Sequence, residues 1–197
     1  MEDQKRVEVS VFQKPKKGNY YCGDSYFYLE TNHTFICALA DGLGSGEFAK
    51  ESSQLVVETI KKYYKEPIKQ ILRRCNEQLL GKRGVVLGIL QMDFESDEYY
   101  YTSIGNISLI TVTEDSIKTR NIPQAGYLTG YERPYKIVRN KLKSGMTFVL
   151  FSDGVTSEDI SSMPIVGEDM ESITNSFAEL YTGDLEDDTT IIAMKVT

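Results

Sequence analysis

The sequence predicts an α+β fold in which antiparallel sheets are covered by helices. Three observations carry that reading. Stretches with strand character outnumber helical ones. Two helical stretches follow one another in the middle and a third comes late, with strands on either side. The regular β–α alternation of a doubly wound parallel sheet is absent. At 197 residues the chain is expected to form a single domain over 1–197. A chain of that length buries a core without cross-links.

Residues 7–13 alternate apolar and polar, as a half-exposed strand does. A basic turn with Pro15 and Gly18 follows, then strands over 20–30 and 34–40, with Thr31 to Thr34 at the hairpin tip. Gly42 to Gly46 is a glycine-rich turn. After it, residues 47–64 have helical spacing, with Phe48, Leu55, Val56 and Ile60 expected on one buried face. Pro67 stands where a first helical turn tolerates it, and a second helix is expected over 68–80, closed by Gly81. The period then changes to two. Strands are expected over 85–94 and 99–104 about the Glu95-Ser96-Asp97 turn, then over 107–113 and 117–121. Pro123 to Pro134 reads as an ordered loop. Strands over 135–140 and 147–151, a helix over 168–181 and a strand over 189–196 complete the chain.

Composition excludes several functions. The net charge of −7 argues against a nucleic-acid binder, which needs cations to meet phosphates. No apolar run approaches the ~18 residues of a membrane span. Residues 1–6 are polar and lead into no signal-peptide core, so no membrane partner is expected. Three cysteines, Cys22, Cys37 and Cys75, cannot all pair, which fits a reducing cytoplasm and interior packing. With one histidine, His33, no His-rich zinc site can be built, and a Ser-His-Asp hydrolase would rest on a residue at a hairpin tip.

The chemistry gathers on carboxylates at strand ends. Phe35-Ile36-Cys37-Ala38-Leu39-Ala40-Asp41-Gly42 and Phe148-Val149-Leu150-Phe151-Ser152-Asp153-Gly154 are each a strand apolar on both faces that ends in Asp-Gly. A carboxylate at the mouth of a buried strand is costly unless something compensates it. Asp184-Leu185-Glu186-Asp187-Asp188 places acids before the last strand. If that strand is antiparallel to the other two, all three acidic ends share an edge. Asp24, within the second strand, is a fourth candidate. Such a cluster repels itself, and divalent cations resolve the repulsion. Oxygen ligands without imidazole or thiolate point to Mg²⁺ or Mn²⁺. Two ions about 3.5–4 Å apart can bridge a water, lower its pKa and clamp a phosphoryl group. The plain alternatives are two Asp-Gly turns and an acidic rim without ions.

Ala40-Asp41-Gly42, Ser103-Ile104-Gly105-Asn106, Ser152-Asp153-Gly154 and Asp187-Asp188-Thr189-Thr190 resemble, in order and spacing, the metal-dependent protein phosphatases (the PPM, or type 2C, serine/threonine phosphatases). With Cys22-Gly23-Asp24-Ser25, the Ala40–Gly46 turn and Lys82-Arg83-Gly84, the chain looks like the bacterial branch of sporulation and stress-response phosphatases. The resemblance runs from about residue 7 to residue 196. It implies a four-layer α-β-β-α sandwich, two antiparallel sheets flanked by helices. It implies two Mn²⁺ or Mg²⁺ ions, with Asp41 bridging both, Gly42 offering its carbonyl, and Asp153 and Asp187 completing the second. Asp24 would bind or orient metal-bound waters, and Asp188 would support the ligands. A metal-bridging water would attack phosphorus in line.

By the same resemblance the substrates would be phosphoserine, or phosphothreonine, on stressosome STAS-domain proteins. The effect would be negative feedback on the sigma-B stress response, by a monomeric enzyme. Two departures stand out. The family arginine before the first acidic motif is missing, leaving Lys14, Lys16, Lys17 or Arg83 to assist the metals in holding phosphate. Asn106 replaces an aspartate that supports a third metal in some relatives. The rival readings are a pseudophosphatase that binds phosphoproteins and a small-molecule phosphatase.

Other chemistries fail on spacing. No cysteine has an arginine six residues on, as a cysteine phosphatase requires. The Asp-x-Asp pair that a haloacid-dehalogenase enzyme needs after a strand does not occur. The third glycine of a dinucleotide loop beginning at Gly42 would be residue 47, which is Glu47.

Overall fold

The computed structural model describes residues 5–131, 133–162 and 165–197. The polar reading of residues 1–4 and position 132 of the 123–134 loop lie outside the described residues. In chain order the elements are β1 (Val7–Lys14), β2 (Asp24–Glu30), β3 (Thr34–Gly42), α1 (Glu47–Tyr63), α2 (Ile68–Gln78), β4 (Val85–Asp93), β5 (Glu98–Ile104), β6 (Ser108–Val112), β7 (Lys118–Arg120), β8 (Val138–Lys141), β9 (Thr147–Phe151), α3 (Ser157–Ser162), α4 (Met170–Leu180) and β10 (Thr189–Val196).

Among the described residues the strands form two five-stranded sheets, ordered β1-β10-β9-β6-β7 and β2-β3-β4-β5-β8. Every pairing is antiparallel. The doubly apolar strands explain the layering. On β3, Phe35, Cys37 and Leu39 enter the core between the sheets, against Phe148, Leu150, Ile192 and Met194. Their alternates Ile36, Ala38 and Ala40 meet Val56 and Ile60 of α1 and Ile71 and Leu72 of α2. On the β1-β10-β9-β6-β7 sheet Val149, Phe151, Ile191 and Ala193 face Ile160, Ile173 and Phe177 of α3 and α4. A strand with helices on one side and a sheet on the other must be apolar on both faces. The result is the expected four-layer sandwich.

The structure corrects several expectations. Residues 20–23 are not strand. The Gly23 N–H donates to the Asp188 carboxylate at 2.8 Å instead of a ladder partner, so β2 begins at Asp24. Residues 135–137 are outside β8, because the Lys136 N–H and carbonyl are bonded to the Gln124 side chain. Helix α3 was not foreseen. Its signal is present: the Thr156 hydroxyl accepts from the Asp159 N–H, and Asp159 accepts from Thr156, a capping arrangement. On α1 the buried face is Ala49, Ser53, Val56 and Ile60, while Phe48 is exposed. Small residues occupy the first turns because this end of α1 runs nearly against β3.

The three cysteines are free and buried. His33 stands at the β2–β3 hairpin tip, paired with Glu95. No helix among the described residues is long and apolar enough to cross a membrane.

Candidate functional site

Strand direction brings the acids together. Asp24 opens β2 and Asp41 stands near the end of β3, and the two are directly paired in register. Side chains opposite one another in an antiparallel pair lie on the same face. In the other sheet, β9 ends where β10 begins, so Asp153 just past β9 and Asp187–Asp188 just before β10 meet at one end. Both ends form the same edge of the sandwich, because Asp24 spans the sheets. Its Oδ2 accepts from Ser152 Oγ at 2.8 Å and from Thr190 Oγ1 at 2.6 Å. The three strand-end acids expected from the sequence, Asp41, Asp153 and Asp187, therefore lie at one edge with Asp188, and Asp24, expected inside a strand, joins them because β2 begins at it.

Their environments differ. Asp24 is fully buried, and its Oδ1 has no hydrogen-bond partner among the described residues. Burial pushes its carboxyl up to about 6, held back by the two hydroxyls and pushed further by Asp188 and Asp153. Asp41 accepts no hydrogen bond from the described residues. Its carboxyl is raised to about 8 by burial first, then by the charges of Asp24, Asp153, Asp187 and Asp188. Asp153 is raised by desolvation and by Asp187, while Asn106 Nδ2 donates to its Oδ2 at 2.5 Å. Asp188 is spent on structure: Oδ1 accepts from the Lys16 N–H at 3.0 Å and Oδ2 from Gly23. Asp187 is exposed and accepts from the Asp188 N–H. Among the described residues, no three His, Cys, Asp or Glu side chains close around one point.

The glycines after Asp41 and Asp153 are needed for close approach. A Cβ on Gly42 would lie 2.0 Å from the Ala49 carbonyl oxygen in α1. One on Gly154 would lie 2.3 Å from the Asp188 carbonyl oxygen. The first turns of α1 also hold the Asp24 backbone: Lys50 Nζ donates to the Asp24 carbonyl at 2.8 Å and Ser53 Oγ to the Gly23 carbonyl at 2.6 Å. Sequence reasoning gave no role to Ser152, Thr190, Lys50 or Ser53. The first two had a signal, since each is a hydroxyl within two residues of a site acid and a buried carboxylate needs donors. Lys50 and Ser53 had none. The lysines expected to assist phosphate are mostly committed elsewhere: Lys14 caps the carbonyls at the end of α4, and Lys17 pairs with Asp184.

The family model for Stage II sporulation protein E (SpoIIE) matches residues 31–197. The chain belongs to the SpoIIE family of PP2C-type phosphatases. Within that SpoIIE family it is 35% identical over 192 residues to the phosphoserine phosphatase RsbX of Bacillus subtilis (strain 168), covering 98% of this chain and 96% of that one. A crystal structure of RsbX in complex with magnesium superposes with a TM-score of 0.91 at 34% identity, covering 100% of this chain and 98% of that one. The catalytic domain of the serine/threonine phosphatase PstP, solved with two manganese ions, has the same fold, with a TM-score of 0.78 at 18% identity, covering 97% and 98%. The architecture, the enzyme class and the RsbX-like character of this SpoIIE-family chain thus agree with the reading from its motifs.

Proposed function

We propose that this phosphatase hydrolyses phosphoserine on a protein and depends on two divalent cations, Mn²⁺ or Mg²⁺, held at the carboxylate edge. One observation carries the reading: a fully buried carboxylate, Asp24, paired in register with Asp41, has an oxygen without a hydrogen-bond partner among the described residues. Such an atom is costly unless a cation or a donor meets it. The donor set is all oxygen, which suits these ions. Asp41, Asp153 and Asp187 with the Gly42 carbonyl would hold them, and Asp24 would hold or orient their waters. Bound there, the ions would neutralise the acids, lower the pKa of a coordinated water and polarise the phosphoryl oxygens.

The chain's own residues do the rest. Ser152 and Thr190 fix the Asp24 carboxylate in one orientation. Asn106 orients Asp153. Asp188 ties the 16–23 loop over the edge by two backbone N–H groups. The likeness to RsbX supports phosphorylated stressosome STAS-domain proteins as substrates and a role in feedback on the stress response. Buried thiols fit a cytoplasmic setting.

The test is turnover of a generic phosphate ester and of a phosphoserine protein with and without Mn²⁺. Wild type is expected to act on both, and Asp41→Ala to lose at least a thousandfold in kcat. An inert wild type that still binds the phosphoprotein would make the chain a binding module.

A further inference from the structure

Beside the carboxylates lies a surface the proposed chemistry does not use. Arg83 stands two residues before β4, whose Val85 pairs with Gly42, so it emerges at the same edge. Its Nη1 donates to the Leu43 carbonyl at 3.2 Å, and its guanidinium lies 5.7 Å from the centre of the Phe48 ring. Leu43 is two residues from Asp41, at most about 7 Å along the chain. Gly44 makes room for the guanidinium: its φ is +97°, and a Cβ there would come 2.1 Å from Nη1. Leu43 and Tyr127 meet over Gly84, where a Cβ would touch them at 2.8 and 2.4 Å. Phe48 is 64% exposed and Tyr127 43%. An arginine stacked on an exposed aromatic ring, with apolar neighbours, is the composition of an interface anchor.

Charge narrows what sits there. The edge is otherwise acidic, so an acidic flank needs a cation to hold it there. Lys14, Lys17, Lys50 and Lys82 are bonded to carbonyls or carboxylates. Arg83 spends one of its N–H groups on Leu43 and keeps others for a carboxylate, which guanidinium binds in a two-pronged fashion. Lys16 is a further cation near the edge; its N–H holds Asp188, and its ammonium makes no hydrogen bond among the described residues.

We propose that Leu43, Phe48, Arg83 and Tyr127 form a platform for the protein segment flanking the phosphoserine. An acidic side chain lies on Arg83 and an apolar one between Phe48 and Tyr127. This rests on the reading of phosphoserine hydrolysis and adds the sequence preference of the substrate.

Synthetic peptides carrying a non-hydrolysable phosphonate in place of phosphoserine test it, with Glu and Leu flanks in one and Gln and Ala flanks in the other. Their binding to the Mn²⁺-loaded full chain is read by fluorescence anisotropy. Wild type is expected to prefer the Glu/Leu peptide at least tenfold. Arg83→Ala and Phe48→Ala are expected to reduce the preference below threefold, Arg83→Lys to keep part of it, and Lys16→Ala to keep it whole. Arg83→Gln and Phe48→Gln replace either alanine variant that fails to fold. The proposal is overturned if wild type shows no preference, if the preference survives whole in Arg83→Ala or Arg83→Gln, if those two variants weaken both peptides equally, or if Lys16→Ala abolishes it. Turnover of the phosphoserine forms of the same peptides reports separately on the hydrolytic reading. A retained preference without turnover leaves the platform standing and removes the enzyme.

Discussion

Asp24 illustrates how a site residue trades stability for function. Its carboxylate has two hydroxyl donors on one oxygen and, among the described residues, none on the other. Asp24→Asn keeps an acceptor for Ser152 and Thr190 and removes the charge. The expected outcome is a metal-free protein more stable by about 1–3 kcal/mol, with weaker Mn²⁺ uptake; denaturant unfolding and calorimetry measure the two. The pH dependence follows from the direction of the shifts. Asp24 and Asp41 are raised in the folded chain to about 6 and about 8, from an ordinary value of 3.8. Between the ordinary and raised values the folded state holds protons that the unfolded chain has released. The stability of the metal-free protein should therefore be greatest at the acidic end of that window and fall as pH rises through the folded values. A thermal midpoint that drops by several degrees from about pH 5.5 to about pH 8.5 is expected, with Mn²⁺ reversing the trend. Mn²⁺ uptake near neutral pH should also release protons, seen as a buffer-dependent heat. An uptake heat independent of the buffer would refute this.

At the scale of elements, the contact that matters most is α1 on β3. Ala49 and Ser53 are small, and Gly42 has no side chain, because helix backbone and strand end nearly touch there. Gly42→Ala places a Cβ inside the Ala49 peptide group, so α1 must move away. A loss of about 1–3 kcal/mol is expected from overpacking alone, read by chemical denaturation. Because Lys50 and Ser53 hold Gly23 and Asp24 from the same helix, weaker Mn²⁺ binding should accompany it. The helical period of residues 47–64 was plain in the sequence, but which stripe faces inward was not. Phe48 reads as a core residue by type and is exposed, because only small side chains fit where helix and strand close up. For α3 the Thr156–Asp159 pair was a local signal that could have been read. The shift of β2 from residue 20 to 24 could not, since its cause, Asp188, is 165 residues from Gly23.

The whole molecule is a core between two sheets with a polar clasp at one end. Phe148 and Leu150 from one sheet meet Phe35, Cys37 and Leu39 from the other. The Asp24–Ser152–Thr190 bonds join the sheets at the site. Phe148→Ala should cost about 3–5 kcal/mol by leaving a cavity in the shared core. The loss should appear as one cooperative transition at a lower denaturant midpoint. Two separated transitions would show that the sheets fold independently.

The doubly apolar strands, the Asp-Gly ends and the acids before β10 are legible in the chain's local pattern. These are local patterns set by the two-residue period of a strand and the turn chemistry of glycine. They therefore show which carboxylates stand at strand ends. That Asp24 lies directly opposite Asp41 and draws its donors from the other sheet follows from the folded arrangement alone. It alone turned Phe48 outward beside Arg83. Register and sheet stacking come from contacts between residues far apart in the chain, and no local pattern encodes them.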